Sequence, residues 1–193
     1  MRPVAIDVAI LLPVASRVRI ERLNAACIAP ADGGFRFDAT HHPHITLGQH
    51  FVDADAVEVV RTALTSTFET QPPLELTVTG TRQGRTALAA IVAPTPELQH
   101  LHERVLDALA AHEVAGWHDA FQIDDYPARD ADVRWVTRFR QDSAVDRFDP
   151  HITIGIGSVP TRLASWRFTA SEIALCRLGR FCTSRDQVAH WTL

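Results

Sequence analysis

The chain has 193 residues, 46% of them hydrophobic and 22% charged, and its formal net charge is −4 at pH 7. These fractions are close to the averages of folded domains, and no apolar run is long enough for a membrane span, which excludes a disordered chain and a membrane bundle. The acidic balance excludes a protein that binds long duplex nucleic acid through a broad basic surface.

The first half of the sequence predicts strands and helices in irregular alternation. Positions 4–12 are a predicted strand, and because Asp7 and Pro13 interrupt the apolar run, it is not typical of a signal peptide. We therefore expect a cytoplasmic protein that does not contact membranes. The other predicted elements are a helix over 16–28, a strand from 44, a helix from about 53, strands over 74–81 and 86–92 joined by Arg82-Gln83-Gly84-Arg85, and a helix containing Leu98 and Leu109.

The second half is less regular between positions 116 and 129, which are typical of a loop. Segment 133–139 is predicted as a strand, and another strand begins at His151. Two further strands are predicted over 171–178 and 187–193. Because the strands and helices do not form regular βαβ units, we predict an α+β fold with antiparallel sheets.

One tetrapeptide pattern occurs twice. His44-Ile45-Thr46-Leu47 returns 107 residues later as His151-Ile152-Thr153-Ile154, and each copy follows a proline and precedes a glycine. In a strand, alternate residues share a face, so each copy presents an imidazole and a hydroxyl on one side. The separation exceeds half of the chain, which predicts two similar lobes whose half-sites form one cleft.

Two histidines across a cleft favour acid-base chemistry, because imidazole titrates near neutral pH. A neutral histidine takes a proton from water as the water attacks phosphorus, and a charged one protonates the departing ribose oxygen. The threonine hydroxyls would donate hydrogen bonds to the non-bridging phosphate oxygens. The residues alone leave open which histidine has which role. A single copy would be an ordinary polar strand, but the repetition favours a shared site.

The two motifs resemble the signature of the 2H phosphoesterases, which include bacterial RNA 2′,3′-cyclic phosphodiesterases historically called 2′-5′ RNA ligases. The similarity rests on 44–47 and on Phe148-Asp149-Pro150 with the second motif, and it extends over nearly the whole chain. It implies an α+β, bilobal fold of two pseudo-symmetric halves, each with an antiparallel sheet and flanking helices, and an active-site cleft between them. It implies catalysis by His44, Thr46, His151 and Thr153.

The resemblance also implies the substrate and the organisation. The expected activity is hydrolysis of 2′,3′-cyclic phosphates of RNA 3′-ends or small nucleotides to a phosphomonoester, without metal or other cofactor. We expect a single domain over 1–193 with interleaved lobes, and a monomer. The motif spacing is long for compact members, which predicts an insertion within 116–147.

The sequence departs from some relatives after the second motif. Gly155-Ile156-Gly157 stands where these relatives have a basic residue, so the cation must come from elsewhere, and Arg177, Arg82 and Arg85 are the candidates for substrate binding. Three aromatic residues are candidates either for stacking on a base or for the core. They are Phe51, Phe148 and Phe181.

Other interpretations remain open at this stage. The histidines at 41, 42, 44 and 50, with His151 as a further ligand, raise a metal site, although no carboxylate has the spacing of a hydrolytic zinc centre. A non-catalytic module that binds nucleotides or RNA ends would use the same cleft. A hydrolase of 2′,5′-linked oligonucleotides or of ADP-ribose cyclic phosphate is also possible. An ATP-driven ligase is disfavoured, since the chain has no lysine to activate a nucleotide.

Overall fold

The computed structural model describes residues 2–29, 33–84, 87–122, 126–159 and 163–193, and these ranges form one antiparallel sheet and four α-helices. The strands are β1 Pro3–Leu11, β2 His44–Asp53, β3 Leu74–Gln83, β4 Ala87–Val92, β5 His151–Ile156, β6 Trp166–Ala170, β7 Glu172–Leu178 and β8 Ser184–Thr192. The helices are α1 Val14–Ala26, α2 Val57–Phe68, α3 Pro96–Leu109 and α4 Asp130–Asp142. None of these helices is long and apolar enough to cross a membrane.

The sheet consists of two halves that meet at the motif strands. Its order is β6-β3-β4-β5-β2-β1-β7-β8, so four strands lie on each side of the junction between β5 and β2. This junction is narrow, because Ile45 opposite Ile152 is the only register pair between these strands in the described ranges. The halves are interleaved in sequence, since β7 and β8 return to the half that contains β1. The predicted α+β, bilobal fold is confirmed.

The two halves repeat one another in register as well as in strand order. Each motif strand is interrupted by a β-bulge at the fourth residue of its tetrapeptide, which is Leu47 in β2 and Ile154 in β5. The equivalent pairs are Ala9–Thr46 and Ala89–Thr153 before the bulge, and Val8–Gly48 and Leu88–Gly155 after it. The duplicated motif therefore reflects a duplicated strand pair.

A buried polar side chain from a helix caps each bulge. His102 of α3 donates a hydrogen bond from Nδ1 to the carbonyl oxygen of Leu47, at 2.7 Å. Asn24 of α1 donates from Nδ2 to the carbonyl oxygen of Ile154, at 2.8 Å. The glycine after the second motif leaves room for this approach, since a Cβ on Gly155 would lie 3.0 Å from Nδ2 of Asn24. The helices thus hold both motif strands in their bulged form.

Replacing His102 by alanine is expected to lower the free energy of unfolding by about 1–3 kcal/mol, because the buried carbonyl of Leu47 loses its donor. Burial lowers the pKa of His102, and its Nε2 accepts a hydrogen bond from the backbone N–H of Val145, so the folded protein holds the neutral imidazole. In the unfolded chain the side chain gains its proton near the ordinary pKa of 6.5. The stabilisation by His102 is therefore complete above that pH and is lost as the pH falls through the folded-state pKa.

Urea denaturation at about pH 8 and about pH 5 measures both effects. His100→Ala, on the exposed face of the same helix, is the matched control. A loss in His102→Ala no larger than in this control, or a pH dependence unchanged by the substitution, would contradict the prediction.

The predicted strand over 133–139 is wrong, since these residues lie in α4. Two acidic residues, Asp130 and Asp132, stand in the first turn, where the helix dipole favours negative charge. Val136 and Phe139 are buried at a spacing of three, as in an amphipathic helix. The β-branched valines suggest a strand locally, but packing against β2 decides otherwise. That segment 116–147 is an insertion stays a prediction.

The predicted hairpin is confirmed over the residues that the structure describes. β3 and β4 are antiparallel neighbours, with Gln83 opposite Leu88. β3 continues to Gln83, so Arg82 lies within the strand rather than in the loop. Arg85 and Thr86 lie outside the described residues. β6, a strand of five residues at the edge of the sheet, was not predicted.

Candidate active site

The side chains of both motifs converge on a cleft of about 590 Å³ where the two halves of the sheet meet. Because β2 and β5 are antiparallel with Ile45 opposite Ile152, the histidine of each strand lies towards the threonine of the other. The two isoleucines are buried on the opposite face of the sheet. The motif residues that line the cleft are His44, Thr46, His151 and Thr153.

Both ring nitrogens of His44 have hydrogen-bond partners. Nδ1 donates to the carbonyl oxygen of His42 at 2.6 Å, and Nε2 lies 3.1 Å from Oδ2 of Asp7. Asp7 is fully buried, and Oδ2 also accepts a hydrogen bond from the hydroxyl of Ser184. Burial alone would lower the pKa of His44, but the Asp7 carboxylate and the His42 carbonyl outweigh it, so that the pKa is raised. The surroundings of His44 therefore favour the charged imidazolium.

His151 has a different environment. Its Nδ1 donates to the carbonyl oxygen of Asp149 at 2.7 Å, which matches the bond from Nδ1 of His44 to the carbonyl two residues earlier. This bond places the proton of the neutral ring on Nδ1 and leaves the lone pair on Nε2. Within the described part of the chain, no carboxylate forms an ion pair with His151.

The register of the sheet explains this difference. Asp7 lies on β1 in the second pair beyond the bulge, and Ala87 occupies the same place on β4 in the other half. The pseudo-symmetry therefore places an alanine beside His151 where His44 has an aspartate. In the sequence alone, Asp7 is recognisable only as an interruption of an apolar run. A single carboxylate within a buried strand is nevertheless an available signal of a functional residue, because unpaired buried carboxylates are rare.

A glutamine links the first motif to α4. Gln49, on β2, donates from Nε2 to the hydroxyl of Thr46 at 3.3 Å, and its Oε1 accepts the indole N–H of Trp135 at 2.9 Å. The same Nε2 lies 3.4 Å from the carbonyl oxygen of Cys182. Gln49 thus orients Thr46 and fixes the position of an aromatic ring on the wall of the cleft.

Of the arginines that the sequence offers for substrate binding, the two that the structure describes, Arg82 and Arg177, do not line the cleft. Arg82 forms an exposed ion pair with Asp149, with Nη1 donating to Oδ1 at 3.2 Å. Arg177 pairs with Ile6 in the register of β7 and β1, so it shares the core face of the sheet and not the face of Asp7. Arg85 lies outside the described residues. The roles of Arg82, Arg85 and Arg177 in binding stay predictions, which the positions of Arg82 and Arg177 do not support.

Other arginines face the cleft instead, and none of them was predicted from the sequence. Three come from α4 or its first flanking residue, and the fourth follows that helix. They are Arg129, Arg134, Arg138 and Arg147. Helical spacing in segment 130–142 is the signal that would have found Arg134 and Arg138, because the positions that share a helix face differ from those that share a strand face.

The three candidate aromatic residues are placed differently. Phe51 packs edge-on against Phe121 in the core, whereas Phe148 and Phe181 line the cleft. Phe148 stacks on His102, with ring centroids 3.9 Å apart and an interplanar angle of 5°. The guanidinium of Arg129 lies over the ring of Phe181, at 4.0 Å from the centroid. Both cleft phenylalanines are therefore in contact with protein groups.

The clustered histidines do not form a shared site in the described ranges. His41 contacts Asp38, and His50 is buried with Nδ1 3.4 Å from Oε1 of Glu113. No group of three His, Cys, Asp or Glu residues among those described is arranged to hold a metal ion. The cysteines are free, and burial raises the pKa of Cys182 in the cleft, so this thiol is not a nucleophile at neutral pH.

Comparison with known families agrees with this geometry. The model of the 2′-5′ RNA ligase superfamily matches residues 12–180, which include both motifs and six of the eight strands, β2 to β7. The chain belongs to this superfamily. The resemblance to the 2H phosphoesterases that the motifs indicate is thereby confirmed. A search of curated proteins finds no match.

Solved structures share the fold of this superfamily member at low sequence identity. A protein of Thermus thermophilus, TT0787, has a TM-score of 0.63 and 14% identity over 98% of this chain and 97% of its own. E. coli LigT complexed with 3′-AMP has a TM-score of 0.58 and 19% identity over 99% and 98% of the two chains. The MHV ns2 PDE domain has a TM-score of 0.54 and 12% identity over 91% and 99%. These similarities establish the fold.

Proposed function

We propose that this protein is a phosphodiesterase that hydrolyses the 2′,3′-cyclic phosphate of an RNA 3′-end or of a small nucleotide to a phosphomonoester. The observation that carries the proposal is the pair of histidines in unequal environments across one cleft. Asp7 favours the charged form of His44, and the carbonyl of Asp149 fixes the tautomer of His151 so that Nε2 is the atom that can accept a proton. A non-catalytic module would not need two proton carriers in these unequal environments.

The reaction follows from these environments. Nε2 of His151 takes a proton from water as the water oxygen bonds to phosphorus. The Nε2 proton of His44, which is shared with Asp7 in the free protein, passes to the ribose oxygen that leaves. One phosphorus–oxygen bond forms and one breaks, so the cyclic diester becomes a phosphomonoester with a free ribose hydroxyl. His44 is then neutral and His151 is charged, and proton exchange with solvent restores both.

The two threonines bind the phosphate. Each lies on the same strand face as its histidine, so Thr46 and Thr153 can donate hydrogen bonds to the non-bridging oxygens as negative charge develops there. Gln49 donates to the Thr46 oxygen, which leaves the hydroxyl proton of Thr46 free to point at the phosphate. The charged ring of His44 supplies a positive charge at the same position.

Structures of the related fold add support for a nucleotide substrate. E. coli LigT has been crystallised with 3′-AMP and with phosphate. A product of cyclic-phosphate hydrolysis has the same chemical groups as 3′-AMP or its 2′ isomer. The cleft of this protein is large enough for a nucleotide, since ligand pockets commonly measure about 300–1,000 Å³.

Turnover in the presence of a chelator tests the proposal. We expect the protein to hydrolyse 2′,3′-cyclic AMP and a short RNA that ends in a cyclic phosphate with EDTA present, and the His44→Ala/His151→Ala variant to be slower by on the order of a hundredfold or more. Resolving 2′- from 3′-phosphate products shows which bond breaks. Binding without turnover would support the non-catalytic module instead, and inhibition by EDTA would support a metal site. Turnover limited to 2′,5′-linked oligonucleotides or ADP-ribose cyclic phosphate would redirect the assignment to those substrates.

A further inference from the structure

α4 forms a wall of the cleft and presents polar and aromatic side chains to it. The residues of this helix that line the cleft recur at spacings of three and four residues, as on one helical face. Phe139 also reaches the cleft, from the buried side of the helix. The lining residues are Ala131, Asp132, Arg134, Trp135, Arg138, Phe139 and Asp142. The chemistry described above uses none of them.

Trp135 is held in place as a flat surface next to the reactive centre. Its N–H donates to Oε1 of Gln49 at 2.9 Å, and its ring packs edge-on against Phe139 at a centroid distance of 6.2 Å. The residue is nevertheless 42% exposed. One side chain, Gln49, separates this indole from the Thr46 hydroxyl that would bind the phosphate. An exposed ring fixed at its polar edge suits stacking on a base.

Arg134 differs from the other cations near the cleft. Arg129 is paired with Asp132, and Arg138 is paired with Asp142 through Nε at 2.7 Å. Arg134 is exposed, lines the cleft, and makes no ion pair or side-chain hydrogen bond in the part of the chain that the structure describes. Its guanidinium is therefore available to an anion such as a backbone phosphate.

We infer that Trp135 and Arg134 form a nucleotide subsite on α4. Trp135 stacks on the base of the nucleotide that carries the cyclic phosphate, and Arg134 binds the phosphate that joins it to the preceding nucleotide. The substrate class is then the 3′-end of an RNA strand rather than a free cyclic mononucleotide. This inference rests on the proposed function, because the orientation of the strand is set by the cyclic phosphate between the histidines.

Three probes separate the parts of this subsite. Glycerol cyclic phosphate has no base, 2′,3′-cyclic AMP has a base, and the dinucleotide ApA with a terminal cyclic phosphate has a base and a second phosphate. Trp135→Ala should raise KM about tenfold for the two probes with a base and leave glycerol cyclic phosphate unchanged. Trp135→Phe should restore most of the affinity. Arg134→Gln should raise KM several-fold for the dinucleotide alone, more at low salt than at high salt.

Arg167→Gln is the control for the change in charge, since Arg167 is exposed on the edge strand β6 and does not line the cleft. If Trp135→Ala raised KM equally for all three probes, the role of Trp135 would be purely structural and the inference would be overturned. The inference would also be overturned if Arg134→Gln and Arg167→Gln had the same KM for the dinucleotide. If the wild-type protein hydrolyses none of the probes, the proposed function fails. Titration of labelled ApA 3′-phosphate into the same variants then tests the subsite by affinity alone.

Discussion

Replacing His44 or His151 by alanine is expected to lower kcat for 2′,3′-cyclic AMP by on the order of a hundredfold or more, as the loss of a general acid or base does. His151 removes the proton of the attacking water, and His44 protonates the oxygen that leaves, so either loss leaves one proton transfer to solvent. KM should change less than kcat, because the threonines remain to bind the phosphate. Steady-state kinetics on the two single variants measures both parameters.

The double variant should have a kcat only slightly lower than that of the less active single variant, since the effects of residues that act in one step are not additive. His100→Ala, an exposed histidine on α3, is the matched control and should retain wild-type kcat. Full activity in either single variant would rule out the two-histidine mechanism. Thermal unfolding of each variant shows whether a loss of activity follows from a loss of structure.

Replacing Asp7 by asparagine is expected to move the alkaline limb of the pH–rate profile to lower pH by about one unit or more. The Asp7 carboxylate helps to raise the pKa of His44, so its removal lowers that pKa. The rate requires charged His44, and the variant therefore loses this form at a lower pH than the wild type. At pH values below the new limb, kcat should remain near that of the wild type.

The reciprocal substitution is offered by the pseudo-symmetry of the sheet. Ala87→Asp places a carboxylate beside His151 in the position that Asp7 has beside His44. It should raise the pKa of His151 and move the acidic limb to higher pH, because His151 must be neutral to act as a base. The two limbs of the pH–rate profile report the coupled pair of histidines, so the direction in which each limb moves is the diagnostic result. An Asp7→Asn profile that shifts only on its acidic side would reverse the assignment of acid and base.

Local pattern was sufficient for much of the fold. The repeated tetrapeptide predicts two equivalent strands. The spacing of the apolar residues Leu98, Leu101, Val105 and Leu109 predicts α3, and all four of these residues are buried in the structure. Both signals involve residues within one element, where backbone periodicity determines which side chains share a face. The four motif residues could be identified from the sequence for the same reason, and because a chance repetition of the pattern is improbable.

The same reasoning failed where neighbouring elements decide the outcome. Val133 and Val136 favour a strand by propensity, yet packing against β2 and a capped first turn make segment 130–142 a helix. Arg177 is a reasonable phosphate ligand by composition, but the register of β7 with β1 places it on the face away from Asp7. A side chain's face depends on the pairing of its strand, which no window of sequence contains.

The sequence by itself determined the family, the order of most elements, and the two histidines and two threonines of the cleft. Only the tertiary structure decided that the two half-sites are unequal, because the contact between Asp7 and His44 joins residues on neighbouring strands, and its counterpart is Ala87. It also decided that α4 covers the cleft and that Gln49 connects Trp135 to Thr46. Periodicity is a property of adjacent residues, whereas the charge state of a histidine depends on groups that folding brings within a few ångströms.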